Sequence, residues 1–257
     1  MSKKHCSKYT LKRLEEALKN VDTLYNANCI NWSGETNDTN NNRPYVEVIS
    51  EVLLQKKESL LNVNSSQRES FYVDTHDGKI NAFTNRSEEM LAKSLYCQEI
   101  DGLGTIFDYQ VPLKSKQKDK AGKIDLVSIS NDSNTIYLIE LKVADSTETL
   151  LRCGLEIHTY YKQLEQHNFE NFKNDLKNKY LSHFNDNQNL SNKLKEFNGE
   201  FKKAILIFAG STPANMTDRN VYPNTMTLID ELGIKIFIYP KEIEYTIQAQ
   251  LRNPVIL

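Results

Sequence analysis

The sequence predicts an α/β fold in which helices flank a central mixed sheet. Three observations point to it. The apolar runs are strand-sized, as in "AILIFAG" (Ala204 to Gly210) and "IKIFIYP" (Ile234 to Pro240). Segments with helical spacing separate them. From residue 86 onward the order reads α-β-β-β-α-(α)-β-α-β, which suits helices packed on a sheet.

In chain order, Thr10 to Asn26 carries Leu11, Leu14, Ala17, Leu18, Val21 and Leu24, the spacing of one helix face. "NWSGETNDTNNNRP" (Asn31 to Pro44) is polar and predicts a loop. "YVEVISEVLLQKKESLL" resumes helical spacing. "FYVDTHDGKINAF" predicts a hairpin turning at Asp77-Gly78. "NRSEEMLAKSLY" predicts a short helix with Ser87 as N-cap and acidic residues in its first turn. Strands are expected at Thr105 to Leu113, Lys123 to Ser130 and Thr135 to Val143. A long helix then runs from about Thr147 to His167, followed by a lysine- and asparagine-rich helical region from Phe169 to Phe201. The last two strands bracket a helix at Asn224 to Leu232. Residues 1–85 are expected to form a mainly helical extension with a hairpin, and 86–257 the sheet-containing core.

Bulk properties narrow the function classes. The chain has 257 residues, 39% hydrophobic and 26% charged, with net charge −2. No apolar run approaches the roughly 18 residues of a membrane span. The basic start "MSKKHCSKYT" lacks an apolar signal region, so a cytoplasmic location is expected. Cys6, Cys29, Cys97 and Cys153 form no CxxC pair, which argues against zinc ribbons and iron–sulfur clusters. Cys153 has no framed histidine partner and no G-x-S-x-G occurs, so nucleophilic catalysis finds no support.

"IYLIELKVADS" (Ile136 to Ser146) is the informative stretch. Four apolar residues lead into Glu140 and Lys142, which share one face of a strand. The preceding strand, "GKIDLVSI", offers Asp125, and a hairpin through "SNDSN" sets it beside Glu140. Paired carboxylates favour a raised pKa or a bound cation, and oxygen ligands suit Mg²⁺ or Mn²⁺. A lysine beside them can hold a phosphate oxygen or orient a water. Together these groups equip a site for phosphodiester hydrolysis. The plainer alternative is an ion pair at a strand end. Such a pair gives little net stability when buried, so it explains the placement less well.

Asp125 followed by Glu140-Leu141-Lys142, framed as "GKIDLVSI…YLIELKV", resembles the PD-(D/E)xK nuclease superfamily of restriction-endonuclease-like and RecB-like domains. The resemblance covers roughly Arg86 to Tyr239. It implies a restriction-endonuclease-like αβββαβ core and a Mg²⁺- or Mn²⁺-dependent nuclease. Asp125 and Glu140 would be metal ligands and Lys142 a catalytic residue. It also implies a glutamate from the first core helix: Glu89, three residues before Ala92, sits nearest the usual pattern, with Glu88 as the alternative. Both also read as helix N-terminal charges. The RecB-like Gln-x-x-x-Tyr motif is met by "EIHTY", with Tyr160 matching and Glu156 replacing glutamine as supporting residues. Tyr160 equally reads as a core aromatic, and His158 on the same helix is not assigned to a metal. "PD" is relaxed to Ile124-Asp125, and the RecB-like cluster cysteines are absent.

"KSKQKDKAGK" carries Lys114, Lys116, Lys118, Lys120 and Lys123. A solvated loop is the usual reading of such a run. Because it leads into the Asp125 strand, contact with a nucleic-acid backbone is the functional reading. Lys162, Lys173, Lys177 and Lys179 extend that basic set. DNA is the substrate the family implies, in defence or repair, and a symmetric homodimer is compatible with it. The alternatives are a catalytically silent nucleic-acid- or protein-binding module, an RNA-directed nuclease, or a nuclease regulated by a small ligand at the N-terminal region. The apolar end "NPVIL" suits either such an interface or packing on its own chain.

Overall fold

The computed structural model describes residues 5–39, 41–79, 86–114, 122–165 and 168–252, with side chains to residue 247. Among them one six-stranded mixed sheet runs in sequence order. The strands are β1 (Glu99–Ile100), β2 (Gly104–Pro112), β3 (Lys123–Ile129), β4 (Thr135–Leu141), β5 (Glu200–Phe208) and β6 (Ile234–Tyr239). β1 to β4 are antiparallel neighbours, while β4, β5 and β6 are parallel. The α/β expectation holds.

The parallel half demands crossovers, and helices supply them. Between β4 and β5 lie α4 (Leu150–Glu165), α5 (Asn168–Asp175), a π-helical stretch (Leu176–Tyr180), α6 (Leu181–His183) and α7 (Gln188–Glu196). Between β5 and β6 lie α8 (Thr212–Asn215) and α9 (Pro223–Glu231). β4 is buried at every position, as a strand covered on both faces must be. One face packs Ile136, Leu138 and Ile205 against Leu155, Ile157 and Tyr160 of α4, with Ile49 and Leu53 of α2 (Tyr45–Gln55) in the same core. The other face packs Ile139, Leu141 and Leu206 with Leu91, Ala92 and Leu95 of α3 (Ser87–Ser94). The C-terminal helix α10 (Lys241–Arg252) packs beside α3.

The N-terminal segment joins this core. α1 (Ser7–Ala17) contributes Leu14, which is fully buried. Buried Glu47 of α2 accepts from the backbone N–H groups of Asn224 (3.0 Å) and Thr225 (2.8 Å). A carboxylate there satisfies the open donors of α9 and complements its dipole.

Several sequence expectations change. The Thr10 to Asn26 helix splits into α1 and a 3₁₀ turn at Val21–Asn26. The next helical segment breaks likewise, into α2 and a 3₁₀ turn at Lys57–Leu61. No hairpin forms over Phe71 to Lys79, and residues 80–83 lie outside the described residues. The donors of that stretch go elsewhere: Phe71 N–H (2.6 Å) and Tyr72 N–H (3.3 Å) bond the Asp175 carboxylate, and Lys79 N–H bonds Asp77 Oδ1 (2.9 Å). A side chain thus replaces the partner strand. Ser87 is the first helical residue of α3, with Arg86 at the cap position and no side-chain cap bond. The long helix starts at Leu150, where Thr149 Oγ1 accepts from Arg152 N–H (3.2 Å). β1, α8 and α10 have no counterpart in the sequence reading.

Candidate active site

Leu126 of β3 pairs with Ile139 of β4, so Asp125 and Glu140 come next along the two strands. Asp125 Oδ2 accepts from Leu141 N–H (3.0 Å), which ties it to the neighbouring strand. Its Oδ1 accepts from Gln110 Nε2 (2.9 Å). Gln110 has φ of +49°, the left-handed region that few non-glycine residues adopt. That strained backbone turns the amide toward Asp125.

Lys142, one residue past β4, lies at the centre. Its Nζ stands 2.6 Å from Glu140 Oε1, and 3.4 Å from Glu88 Oε2 and from Glu148 Oε2. Glu140 is 1% exposed, Lys142 5% and Asp125 7%. Carboxylates from β4, from α3 and from the β4–α4 connection thus surround one ammonium, and Asp125 of β3 acts on it through its charge. Arg152 Nε approaches Glu148 at 3.3 Å.

Electrostatics follow from burial and this excess of acid. Burial raises Asp125 to about 7, with Glu88 and Glu156 adding to the rise and Lys142 opposing it. Burial lifts Glu140 well above the usual carboxylate range, helped by Glu156 and Asp125. Burial likewise raises Glu88. Burial alone would lower Lys142, but Glu140 and Asp125 outweigh it and hold the ammonium charged. Near neutral pH, protons remain on this acid cluster.

Behind Glu140 stands α4. Tyr160 donates to Glu156 Oε1 (2.7 Å), and its hydroxyl lies 3.3 Å from that of Tyr25. Gly122, just before β3, faces that hydroxyl so closely that a Cβ there would stand 1.9 Å from it. Glycine is what lets β3 approach α4 here.

The donor set fits a hard divalent cation in kind, since carboxylate oxygens are what Mg²⁺ and Mn²⁺ prefer. It is closed around the Lys142 ammonium, and among the described residues no three His, Cys, Asp or Glu side chains form a ready metal-binding group. Ammonium and cation would therefore compete for the same oxygens.

Comparison with protein-family models, with curated proteins and with solved structures returned no match.

The sequence residues fall into four groups. Asp125, Glu140 and Lys142 come together, joined by Glu88. Glu89 does not join them: it pairs with Arg86 (3.2 Å) and Lys93 (3.0 Å) on the outer side of α3. Adjacent helical residues point about 100° apart, so only one of the two can face β4. Glu156 and Tyr160 stand behind the cluster. Lys116, Lys118 and Lys120 lie outside the described residues, while Lys123 is exposed at the start of β3 and Lys114 is half-buried. The sequence reading missed Glu148 and Gln110. Glu148 lies six residues past Lys142 in a connection with no periodicity to betray its direction. The role of Gln110 depends on an unusual backbone angle.

Among the described residues no helix is long and apolar enough to cross a membrane.

Proposed function

We propose that this chain is a metal-dependent nuclease of the PD-(D/E)xK type, acting on phosphodiester bonds, with DNA as the substrate class the resemblance implies. One observation carries the reading: Asp125 and Glu140 on neighbouring strands, and Lys142 beside them, form a buried charged cluster that partly exposed Glu88 reaches from α3. Burying such charges costs several kcal/mol per ion, and a structural role does not require so many carboxylates around one ammonium. With the two-residue β1 and the helices between α4 and β5 set aside, the order α3-β2-β3-β4-α4-β5 is compatible with the αβββαβ order of that family.

Asp125, Glu140 and Glu88 are the residues that would hold Mg²⁺ or Mn²⁺, with Glu88 taking the role the sequence gave to Glu89. When bound, such an ion supplies Lewis acidity and a lowered water pKa. The chain's own groups do the rest. Lys142 offers N–H donors to a non-bridging phosphate oxygen and offsets charge that develops on phosphorus. Gln110 and the Leu141 N–H fix the Asp125 carboxylate, so both its oxygens are oriented before substrate arrives. Tyr160 holds Glu156 beside Glu140, which keeps negative potential on the cluster.

The test is cleavage of plasmid, linear double-stranded DNA, single-stranded DNA and RNA by purified protein with Mg²⁺, Mn²⁺ or EDTA, beside Lys142→Ala. Cutting that needs metal and is lost in the variant supports the reading and names the substrate. No cutting of any substrate, with the variant indistinguishable from wild type, favours a binding module.

A further inference from the structure

Glu148 Oε2 stands 3.4 Å from Lys142 Nζ and 3.3 Å from Arg152 Nε, so two cations flank one carboxylate oxygen. Yet that oxygen is buried, and among the described residues no group donates a hydrogen bond to it. Arg152 Nε is buried without an acceptor in the same way. Native interiors leave few polar atoms unmet, and each one calls for a reason. Lys142 turns its ammonium elsewhere: it stands 2.6 Å from Glu140 Oε1 and donates to Glu88 Oε2 at 3.4 Å.

The backbone around Glu148 is firmly held. Thr149 N–H donates to Asn31 Oδ1 (2.8 Å), and the Thr149 hydroxyl to the Ile30 carbonyl (2.8 Å). Glu148 N–H donates to Ser146 Oγ (3.3 Å), and the Ser146 carbonyl accepts from Thr212 N–H (3.0 Å). At the other end, Lys142 N–H donates to the Leu206 carbonyl (3.0 Å). The stretch from Lys142 to Glu148 is therefore tied to the sheet and to the N-terminal segment. The separation of the two charged heads is left to side-chain rotation, and the Glu148 side chain keeps 27% of its surface exposed, which gives it room to turn.

Charge then distinguishes the three carboxylates that Lys142 meets. Glu140 and Glu88 belong, with Asp125, to the set that would hold a divalent cation. Carboxylates engaged with such an ion attract an ammonium less, and the two positive charges repel each other. Among the described residues, Glu148 is the remaining carboxylate contact of Lys142. Closing their gap by about half an ångström reaches the usual N–H···O length and satisfies the unmet oxygen.

We propose that Glu148 is a positioning residue for Lys142: the ammonium passes from Glu140 to Glu148 when Asp125, Glu140 and Glu88 hold a divalent cation. The inference rests on the metal-dependent nuclease reading and adds to it a second resting place for the lysine. Glu148 gives the ammonium a counter-ion outside the metal set and keeps it beside the position of the phosphate. Arg152, one helical turn further on, faces Glu148 from the other side and holds that carboxylate in place.

The experiment is a double-mutant cycle on Mn²⁺ affinity, by calorimetric titration of the full chain at pH 8. Its four proteins are wild type, Glu148→Gln, Lys142→Met and the double variant. Affinity for the ion reports only the part of the Lys142–Glu148 contact that strengthens when the ion binds. Glu148→Gln should therefore weaken Mn²⁺ binding at least about fivefold more in wild type than in the Lys142→Met background. A fixed ion pair would not move that ratio, nor would Glu148 acting as a ligand or a distant charge. Should Lys142→Met not fold, the ¹H–¹⁵N signal of the Lys142 ammonium replaces the cycle. Mg²⁺ should shift that signal in wild type and broaden it away in Glu148→Gln. Mn²⁺ binding by wild type with equal weakening in both backgrounds, or the same Mg²⁺ response in both proteins, would overturn the role of Glu148 and leave the nuclease reading standing. No Mn²⁺ binding by wild type would overturn both.

Discussion

The Lys142 ammonium lies 2.6 Å from Glu140 Oε1, at the C-terminal end of a fully buried strand, with neither residue more than 5% exposed. The pair is not balanced. Glu88 and Glu148 add carboxylates around the same ammonium, Asp125 adds its charge from the next strand, and Arg152 answers Glu148. Protonation, a second cation, or both must make up the difference.

Protonation has a direction in stability. Asp125 titrates at about 7 in the folded chain, and near 3.9 in an unfolded one. The folded state holds the extra proton between those values. Its contribution is full below about pH 4 and is lost as pH rises through about 7. Glu140, raised by burial, acts in the same sense. Denaturant unfolding should show wild type losing about 3 kcal/mol from Asp125 between pH 5 and pH 8. Asp125→Asn should remove most of that slope. A variant with the wild-type slope would show that the buried proton resides elsewhere.

Competition between ammonium and cation makes Lys142 informative in a second way. Lys142→Met leaves the carboxylates without their present partner. Mn²⁺ should bind the variant at least as tightly as wild type, while cleavage falls by about 100-fold or more for the lost transition-state donor. Binding and cleavage measured on one preparation separate the two roles. Weaker metal binding in Lys142→Met would contradict the competition.

Glu88 and Glu89 give the sharpest pair of substitutions. Glu88 reaches Lys142, and Glu89 pairs outward with Arg86 and Lys93. Glu88→Gln should lower the cleavage rate by about tenfold or more, the scale of losing a charge-assisted contact. Glu89→Gln should stay within about twofold and shift stability by about 1 kcal/mol or less, as solvent-accessible surface pairs do. The reverse order would return the role to Glu89.

Glu47 tests how the N-terminal segment is held. Glu47→Ala removes two bonds to the N-terminus of α9 in a buried setting. Unfolding free energy should fall by about 2 kcal/mol, from the lost cap and stranded donors. A change below about 0.5 kcal/mol would mean that water replaces the carboxylate.

The strands were legible because their patterns are local. β2, β3 and β4 begin and end within about two residues of where apolar runs and turn residues put them. Asp125, Glu140 and Lys142 were legible for the same reason, since alternation along a strand fixes a face. Choosing between Glu88 and Glu89 needs the rotation of α3 about its axis, which eight residues with mixed polarity do not encode. Over the described part of the expected hairpin, the Phe71 N–H bonds Asp175, more than a hundred residues away, a contact that no local pattern signals. α10 is amphipathic, yet its apolar face only makes sense once α3 is in place beside it.

The central claim is that this acid cluster takes a divalent cation, and titration of Mn²⁺ into wild type and Glu140→Gln at pH 8 measures it most directly. At that pH Asp125 is mostly ionised. Saturable binding by wild type, weakened at least tenfold in Glu140→Gln with its fold intact by circular dichroism, is the predicted result. No binding by wild type, or equal binding by both, would contradict the claim and leave Glu140 and Lys142 as a structural ion pair.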